Sequence, residues 1–271
     1  MAVEIVSSGM VEFTGERGKL PAYLVRPKAD GPRPAVIVIH EIFGLVDHTK
    51  DVANRFAREG YVALAPHLFG SDDLAPLLAP EKVRKAMQVM YRLPRRDPEL
   101  ARQAIAALPE PDRTEVGQTV HLLLQGLPKD RLTRDLVGAV AYLRAQPFVL
   151  GDRIGCVGFC FGGGLSINLA CATDVAACVI FYGENPSPIE KLHDVKGAVF
   201  GLYGGEDTRI NSGLDALVRV MAEQKQDFEM RIYPGAPHAF FNDTNPTTYR
   251  KEAAVDAWER VLRFYGRILQ A

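Results

Sequence analysis

Residues 153–164 have the sequence RIGCVGFCFGGG. The apolar first half is typical of a buried strand, and the glycine-rich second half is typical of a tight turn into a helix. With glycines two positions to either side, Cys160 has the pattern of a nucleophile on a sharp strand-to-helix turn, with cysteine in the place of serine. Such a nucleophile has a strained backbone, and only flanking glycines let strand and helix pass so closely. We therefore predict a nucleophilic Cys160 at a helix N-terminus, whose dipole favours a thiolate.

This stretch has two other interpretations. A cysteine beside glycines is often only a small buried residue, and a glycine-rich turn after a strand can bind a nucleotide. A nucleotide site is disfavoured, because the strand lies near the middle of the chain and no acidic residue follows at a strand end about twenty residues later. The choice between a buried and a catalytic cysteine depends on what the other strand ends carry.

Two further strand ends carry an acid and a base. One predicted strand is followed by the turn Gly-Gly-Glu-Asp, which ends at Asp207, and a later one is followed by a loop with His238. The chain order nucleophile, acid, base is that of α/β-hydrolases, and open α/β sheets place their sites at such strand ends. We predict that His238 takes the proton of Cys160 and that Asp207 orients its imidazole. Asp207 is preferred to Glu206 because of its Gly-x-x-Asp spacing after the strand.

The rest of the chain alternates short apolar runs with helical patterns, which predicts an α/β fold with a mostly parallel sheet and helices on both faces. Residues 10–13 and 22–25 form an opening hairpin, and residues 35–40 a central strand. Residues 71–128 contain seven prolines, many charges and no strand-like run. We predict a single α/β-hydrolase domain over residues 1–271, with 71–128 as a helical insertion that forms a lid.

Composition narrows the class of protein. The 271 residues are 47% hydrophobic and 24% charged with a net charge of -1, which allows a large core and offers no basic excess for nucleic acid. The N-terminus lacks the pattern of a signal peptide, and the apolar runs are too short to cross a bilayer. We expect a cytoplasmic protein that binds neither nucleic acid nor membrane. The oligomeric state stays open.

The four cysteines indicate free thiols. They lie between positions 156 and 178, in segments typical of buried strands and helices, which suits a reducing compartment better than a disulfide framework. Cys156 and Cys160 have a Cys-x-x-x-Cys spacing, but no second pair of ligands stands at a suitable distance. We therefore expect neither a metal nor another cofactor.

The motifs together resemble the dienelactone hydrolases, also called carboxymethylenebutenolidases. The similar parts are the turn around Cys160, the sequence His-Glu-Ile-Phe-Gly at 40–44, the Gly-Gly-x-Asp turn and the Pro-His-x-Phe stretch at His238. The resemblance runs from about residue 10 to the last helix and is interrupted by 71–128. It implies hydrolysis of a small ester or lactone.

The resemblance also implies a role for Glu41. In that family, the glutamate at this place contacts the resting thiol and swings to take its proton when substrate binds. A carboxylate directly after a buried strand is costly unless it is paired or functional, although a solvated loop acid is the alternative. The backbone amides of Ile42 and Phe161 are the expected donors to the oxyanion.

Substrate contacts are harder to predict. Where the family has an arginine that binds the substrate carboxylate, four residues after the histidine, this chain has Asn242. Phe43, His67 and Asn242 are candidate pocket residues. Basic residues of the insertion either bind an anion or form a solvated helix face: Arg84, Arg92, Arg95 and Arg96.

The remaining histidines suggest no catalytic role. His40 ends a core strand, so we expect it to be buried and hydrogen-bonded beneath the site. Three others are expected at the surface: His48, His121 and His193.

Three functions are compatible with these residues. The first is hydrolysis of a small carboxylic ester or lactone, in which Cys160 forms an acyl-enzyme. The second is a cysteine-dependent acyl transferase or protease, which needs an open groove. The third is a non-enzymatic ligand-binding protein or thiol redox sensor, and a sensor needs an accessible second cysteine.

Overall fold

The computed structural model describes residues 3–93 and 97–270, which contain eight strands in one sheet. The strands are β1 (Ile5–Gly15), β2 (Gly18–Pro27), β3 (Arg33–Ile39), β4 (Val62–Pro66), β5 (Val149–Phe159), β6 (Ala177–Phe181), β7 (Ala198–Gly204) and β8 (Phe228–Tyr233). Their order in the sheet is β1-β2-β4-β3-β5-β6-β7-β8. The β1–β2 and β2–β4 pairs are antiparallel, and all later pairs are parallel. The predicted opening hairpin and mostly parallel sheet are confirmed.

The described helices are α1 (Asp47–Arg58), α2 (Pro80–Tyr91), α3 (Pro98–Ala106), α4 (Asp112–Gln125), α5 (Lys129–Arg144), α6 (Phe161–Ala172), α7 (Thr208–Asn211), α8 (Leu214–Glu223) and α9 (Lys251–Leu269). A 3-10 helix covers Ile189–Asp194. None of them, within the described ranges, is long and apolar enough to span a membrane.

Strand β3 shows how the two faces of the sheet are covered. Its residues Ala35–Ile39 are fully buried, as expected of a parallel strand with helices on both sides. Alternate side chains point to opposite faces. Ile37 and Ile39 belong to a cluster with the apolar residues of α5, α6 and α8. Val36 and Val38 belong to a second cluster with α1 and α9. Helices on both faces are therefore confirmed.

The described residues of the segment 71–128 contain helices and no strand, as predicted. These residues, 71–93 and 97–128, include α2, α3 and α4. Val83 and Val120 pack into the cluster that also contains α5 and α6. The buried Arg131 of α5 ties down the start of the segment, because its guanidinium contacts both carboxylate oxygens of Asp73 at 2.5 and 2.9 Å. That the segment acts as a lid stays a prediction, as does the single domain over residues 1–271.

Candidate active site

Cys160 lies at the junction of β5 and α6, with φ 56° and ψ −114°. A positive φ is disfavoured for a residue with a side chain, so the predicted strain at this position is confirmed. Two backbone hydrogen bonds hold it: the Cys160 amide donates to Phe181 O at 3.0 Å, and the Gly164 amide donates to Cys160 O at 3.2 Å. The thiol is partly exposed at the carboxyl end of the central strand.

The flanking glycines are required by close packing. A Cβ atom on Gly158 would lie 1.8 Å from the carbonyl oxygen of Gly162, and one on Gly162 would lie 2.4 Å from that of Ile39. No side chain fits at such distances. The first turn of α6 therefore rests directly against the ends of β5 and β3, as the Gly-x-Cys-x-Gly pattern indicates.

The structure brings His238 and Asp207 together. Asp207 follows β7, is 7% exposed, and accepts a hydrogen bond from the Ile210 amide at the start of α7. Its Oδ2 lies 2.5 Å from His238 Nδ1. The neighbouring Glu206 is exposed. The carboxylate that contacts the histidine is thus the one preferred from the sequence, while its catalytic role stays a prediction.

The surroundings of His238 favour its charged form. Burial by itself lowers the pKa of His238, but Asp207, followed by Cys160, outweighs this and raises the pKa to about 10. Because Nδ1 faces Asp207, the second ring nitrogen is the one available to the thiol. Asp207 and Cys160 both favour the charged imidazolium, as suits a group that accepts a thiol proton and keeps it.

Glu41 is buried beside this group and is not the solvated loop acid that the sequence left possible. It is 6% exposed, and its Oε2 accepts a hydrogen bond from Asn242 Nδ2 at 2.8 Å. Thr244 fixes the Asn242 amide by donating to its Oδ1 from the backbone at 3.0 Å and from the hydroxyl at 2.6 Å. The other Glu41 oxygen, Oε1, is also buried, and the Tyr182 hydroxyl interacts with the Glu41 carboxylate. Neutral groups therefore hold this buried carboxylate.

Tyr182 is a site residue that the sequence interpretation missed. It follows β6, has a φ of 41° and is fully buried, with its ring 5.0 Å from the His238 ring. Burial, and then the charges of Glu41 and Cys160, raise the pKa of its hydroxyl well above the usual value. Its position at the carboxyl end of the strand next to β5 is the signal that could have indicated it.

The three predicted pocket residues differ in their burial and contacts. Phe43 and His67 are partly buried, and the pKa of His67 is lowered by burial and by the charge of Lys50. Asn242 is buried and contacts Glu41. Substrate contact by any of the three stays a prediction.

The surface position expected for His48 is wrong. His48 is 5% exposed, since the first turn of α1 faces the core, and its Nδ1 lies 3.3 Å from Asp243 Oδ1. His121 and His193 are exposed, as expected.

The described structure does not support an anion-binding role for the basic residues of the insertion. Arg84 pairs with Glu81 on the surface of α2, and Arg92 is exposed. Arg95 and Arg96 lie outside the described residues. Across the described ranges, His, Cys, Asp and Glu side chains form no group of three that could hold a metal ion.

Comparisons with known proteins show the family of this chain. A model of the dienelactone hydrolase family matches residues 20–269. A protein of Saccharolobus solfataricus named "Putative carboxymethylenebutenolidase" is 39% identical over 94% of this chain and 97% of its own. One of the same name from Methylorubrum extorquens is 31% identical over 96% of this chain and 81% of its own. A crystal structure from Klebsiella pneumoniae, described as a "Putative Dienelactone Hydrolase", has a TM-score of 0.75 and 26% identity, and covers 97% of this chain and 99% of that one.

A mostly parallel sheet with helices on both faces, and a cysteine on the sharp turn after its central strand, define an α/β-hydrolase. Within that class, the chain belongs to the dienelactone hydrolase family, whose model matches almost its full length. The protein is therefore a hydrolase of lactones or esters. The predicted fold class and family resemblance are confirmed.

Proposed function

We propose that the protein cleaves small carboxylic esters or lactones through an acyl-enzyme on Cys160, with His238 and Asp207 as its partners. The observation that carries this proposal is the hydrogen bond between Asp207 and His238 at the carboxyl end of the sheet, where Cys160 also contributes to the raised pKa of His238. Each member comes from a different strand end, and the strained backbone at Cys160 serves to present one side chain.

The chemistry follows from this arrangement. His238 takes the thiol proton, and the thiolate adds to the substrate carbonyl to form a tetrahedral oxyanion that the amides of Ile42 and Phe161 stabilise. The carbon–oxygen bond then breaks, and the leaving alkoxide takes the proton from His238. Water, deprotonated by His238, adds to the thioester and releases the acid and the thiol.

The buried cysteines favour a hydrolase over a redox sensor. All four cysteines lie in the described part of the chain and are free, and Cys156 and Cys178 are almost fully buried. Cys156, four positions before Cys160, is therefore not available as a second reactive thiol. Cys171 is partly exposed, but it lies at the opposite end of α6 from Cys160, and burial raises the pKa of its thiol to about 12.

The test is to detect the acyl-enzyme. After rapid acid quenching of a reaction with p-nitrophenyl acetate, we expect the peptide that contains Cys160 to carry one acetyl group. A panel of esters and lactones, with and without carboxylates, defines the substrate class. Steady turnover with no acylated Cys160 at any quench time would contradict the mechanism.

We propose further that Glu41 takes the thiol proton first when substrate binds and passes it to His238, which then gives it to the leaving alkoxide. Glu41→Gln keeps an oxygen for the Asn242 amide but removes the base, so we expect kcat/KM for a lactone to fall about 100-fold, as for the loss of a general base. Steady-state kinetics measure this loss. The matched control is Glu206→Gln, which changes an exposed acid beside Asp207 and should alter kcat/KM less than twofold. Equal rates for Glu41→Gln and the unmodified protein would show that Glu41 is not a base.

A further inference from the structure

His40 has a fully determined hydrogen-bonding pattern. It is completely buried at the end of β3, with Nδ1 2.6 Å from the carbonyl oxygen of Glu41 and Nε2 3.2 Å from the amide of Leu68. A carbonyl oxygen only accepts and an amide only donates, so Nδ1 must carry the proton and Nε2 must be bare. His40 is therefore held as a single neutral tautomer.

The group that His40 holds is the peptide unit between Glu41 and Ile42. A peptide unit is planar, and its carbonyl and N–H point in opposite directions. Fixing the Glu41 carbonyl therefore fixes the direction of the Ile42 N–H. The Gly44 amide donates to the same oxygen at 3.3 Å, so the loop is folded around this carbonyl.

The same residue also lies against the other expected oxyanion donor. A Cβ atom on Gly162 would be 2.5 Å from the carbonyl oxygen of His40, so the first turn of α6 is seated on the His40 backbone. The His40 ring packs edge-on to Phe69 with centroids 4.8 Å apart, and Phe69 packs against Phe161 at 5.9 Å. The loop that carries the Ile42 amide and the turn that carries the Phe161 amide thus meet at His40.

We infer that His40 is a positioning residue of the oxyanion hole, which aims the Ile42 N–H at the developing oxyanion by holding the Glu41 carbonyl. This inference rests on the proposed function, since it assumes a tetrahedral intermediate on Cys160. Burial lowers the pKa of His40 to about 4, so the ring keeps the bare nitrogen that Leu68 requires. His40 touches neither the substrate nor the thiol in this role and acts through the backbone alone.

Two variants separate the two hydrogen bonds of His40. His40→Asn places an amide nitrogen where Nδ1 stands and can still donate to Glu41, but it loses the acceptor for Leu68. His40→Gln places an amide where Nε2 stands and can still accept from Leu68, but it loses the donor to Glu41. Both variants remove the aromatic ring of His40, so the loss of its packing affects both.

The experiment compares two reactions of Cys160. Acylation by p-nitrophenyl acetate passes through an oxyanion, whereas alkylation by iodoacetamide does not. Removing one oxyanion donor lowers kcat about 10²- to 10³-fold. His40→Gln leaves the Ile42 N–H in place and removes only the hydrogen bond that orients it, so the loss should be smaller. We therefore expect His40→Gln to slow the acylation burst about 10- to 100-fold with KM changed less than about twofold. We expect its alkylation rate to be unchanged within about twofold, and His40→Asn to acylate within about threefold of the unmodified protein.

Rates are referred to the amount of folded protein, measured for each variant by near-UV circular dichroism. Equal losses of acylation in the two variants, or a loss of alkylation in parallel with acylation, would overturn the inference and leave the proposed function standing. Absence of any acylation of Cys160 in the unmodified protein would overturn both. Greater acylation loss in His40→Asn than in His40→Gln would also overturn the inference, because the Leu68 bond would then be the important one.

Discussion

Cys160→Ala lowers kcat/KM for p-nitrophenyl acetate by about 10⁴-fold or more. Removing the nucleophile of an acyl-transfer enzyme abolishes the covalent route and leaves only substrate binding and the oxyanion donors, which give a small residual rate. Alanine at this position also removes the contribution of Cys160 to the raised pKa of His238. Steady-state hydrolysis measured over a wide range of enzyme concentration checks this loss.

Cys171→Ala is the matched control for this loss. Cys171 lies in α6, as a partly exposed free thiol one residue before the end of the helix. We expect its replacement to leave kcat/KM within about twofold. Hydrolysis that survives in Cys160→Ala at the level of the Cys171→Ala control would show that another group is the nucleophile.

The sequence predicts the structure best at the turn around Cys160. The constraint there is local, since a strand, a sharp turn and a helix follow each other within a few residues, and the close contact between Gly158 and Gly162 leaves room only for glycine. Asp207 and His238 were also predictable, because parallel strands bring their carboxyl ends to one edge of the sheet.

The environment of Glu41 was not predictable in the same way. Its partner Asn242 is 201 residues away in the chain, and no periodicity or motif spacing indicates that the two side chains meet. Tyr182 is similar, since an aromatic residue after a buried strand is usually part of the core, and only the three-dimensional packing places its ring on His238. His48 was misassigned because a polar residue in the first turn of a helix is usually solvated, whereas α1 begins with that face towards Phe159 and Phe241.

These contacts make the base of the site a tightly packed layer rather than a flexible loop cluster. Tyr182 supplies a buried hydroxyl and Asn242 a neutral amide to the Glu41 carboxylate. Burying a carboxylate among neutral groups is costly, so this arrangement is expected at a functional site and not in an ordinary core.

Gly158→Ala is expected to destabilise the protein by at least about 4 kcal/mol, among the largest effects known for single substitutions. The added Cβ would stand 1.8 Å from the Gly162 carbonyl oxygen, so the strand end and the helix start would have to separate. Gly162 cannot retreat, because it already rests against the carbonyl oxygens of Ile39 and His40. Urea unfolding, monitored by circular dichroism, measures the loss of unfolding free energy. In the most severe case, the variant yields little soluble protein.

Gly266→Ala is the control that separates this contact from the general effect of replacing a glycine. Gly266 lies within α9, and apart from the helix backbone itself no described atom lies within 4 Å of the place that an alanine Cβ would take. Alanine is favoured over glycine inside a helix, and we expect a gain of about 0.5–1 kcal/mol. Suppose that the free energy of unfolding of Gly158→Ala were within about 1 kcal/mol of that of the unmodified protein, while Gly266→Ala behaved as expected. The turn would then be able to relax. The seating of α6 on β3, on which both the presentation of Cys160 and the role of His40 depend, would then not be rigid.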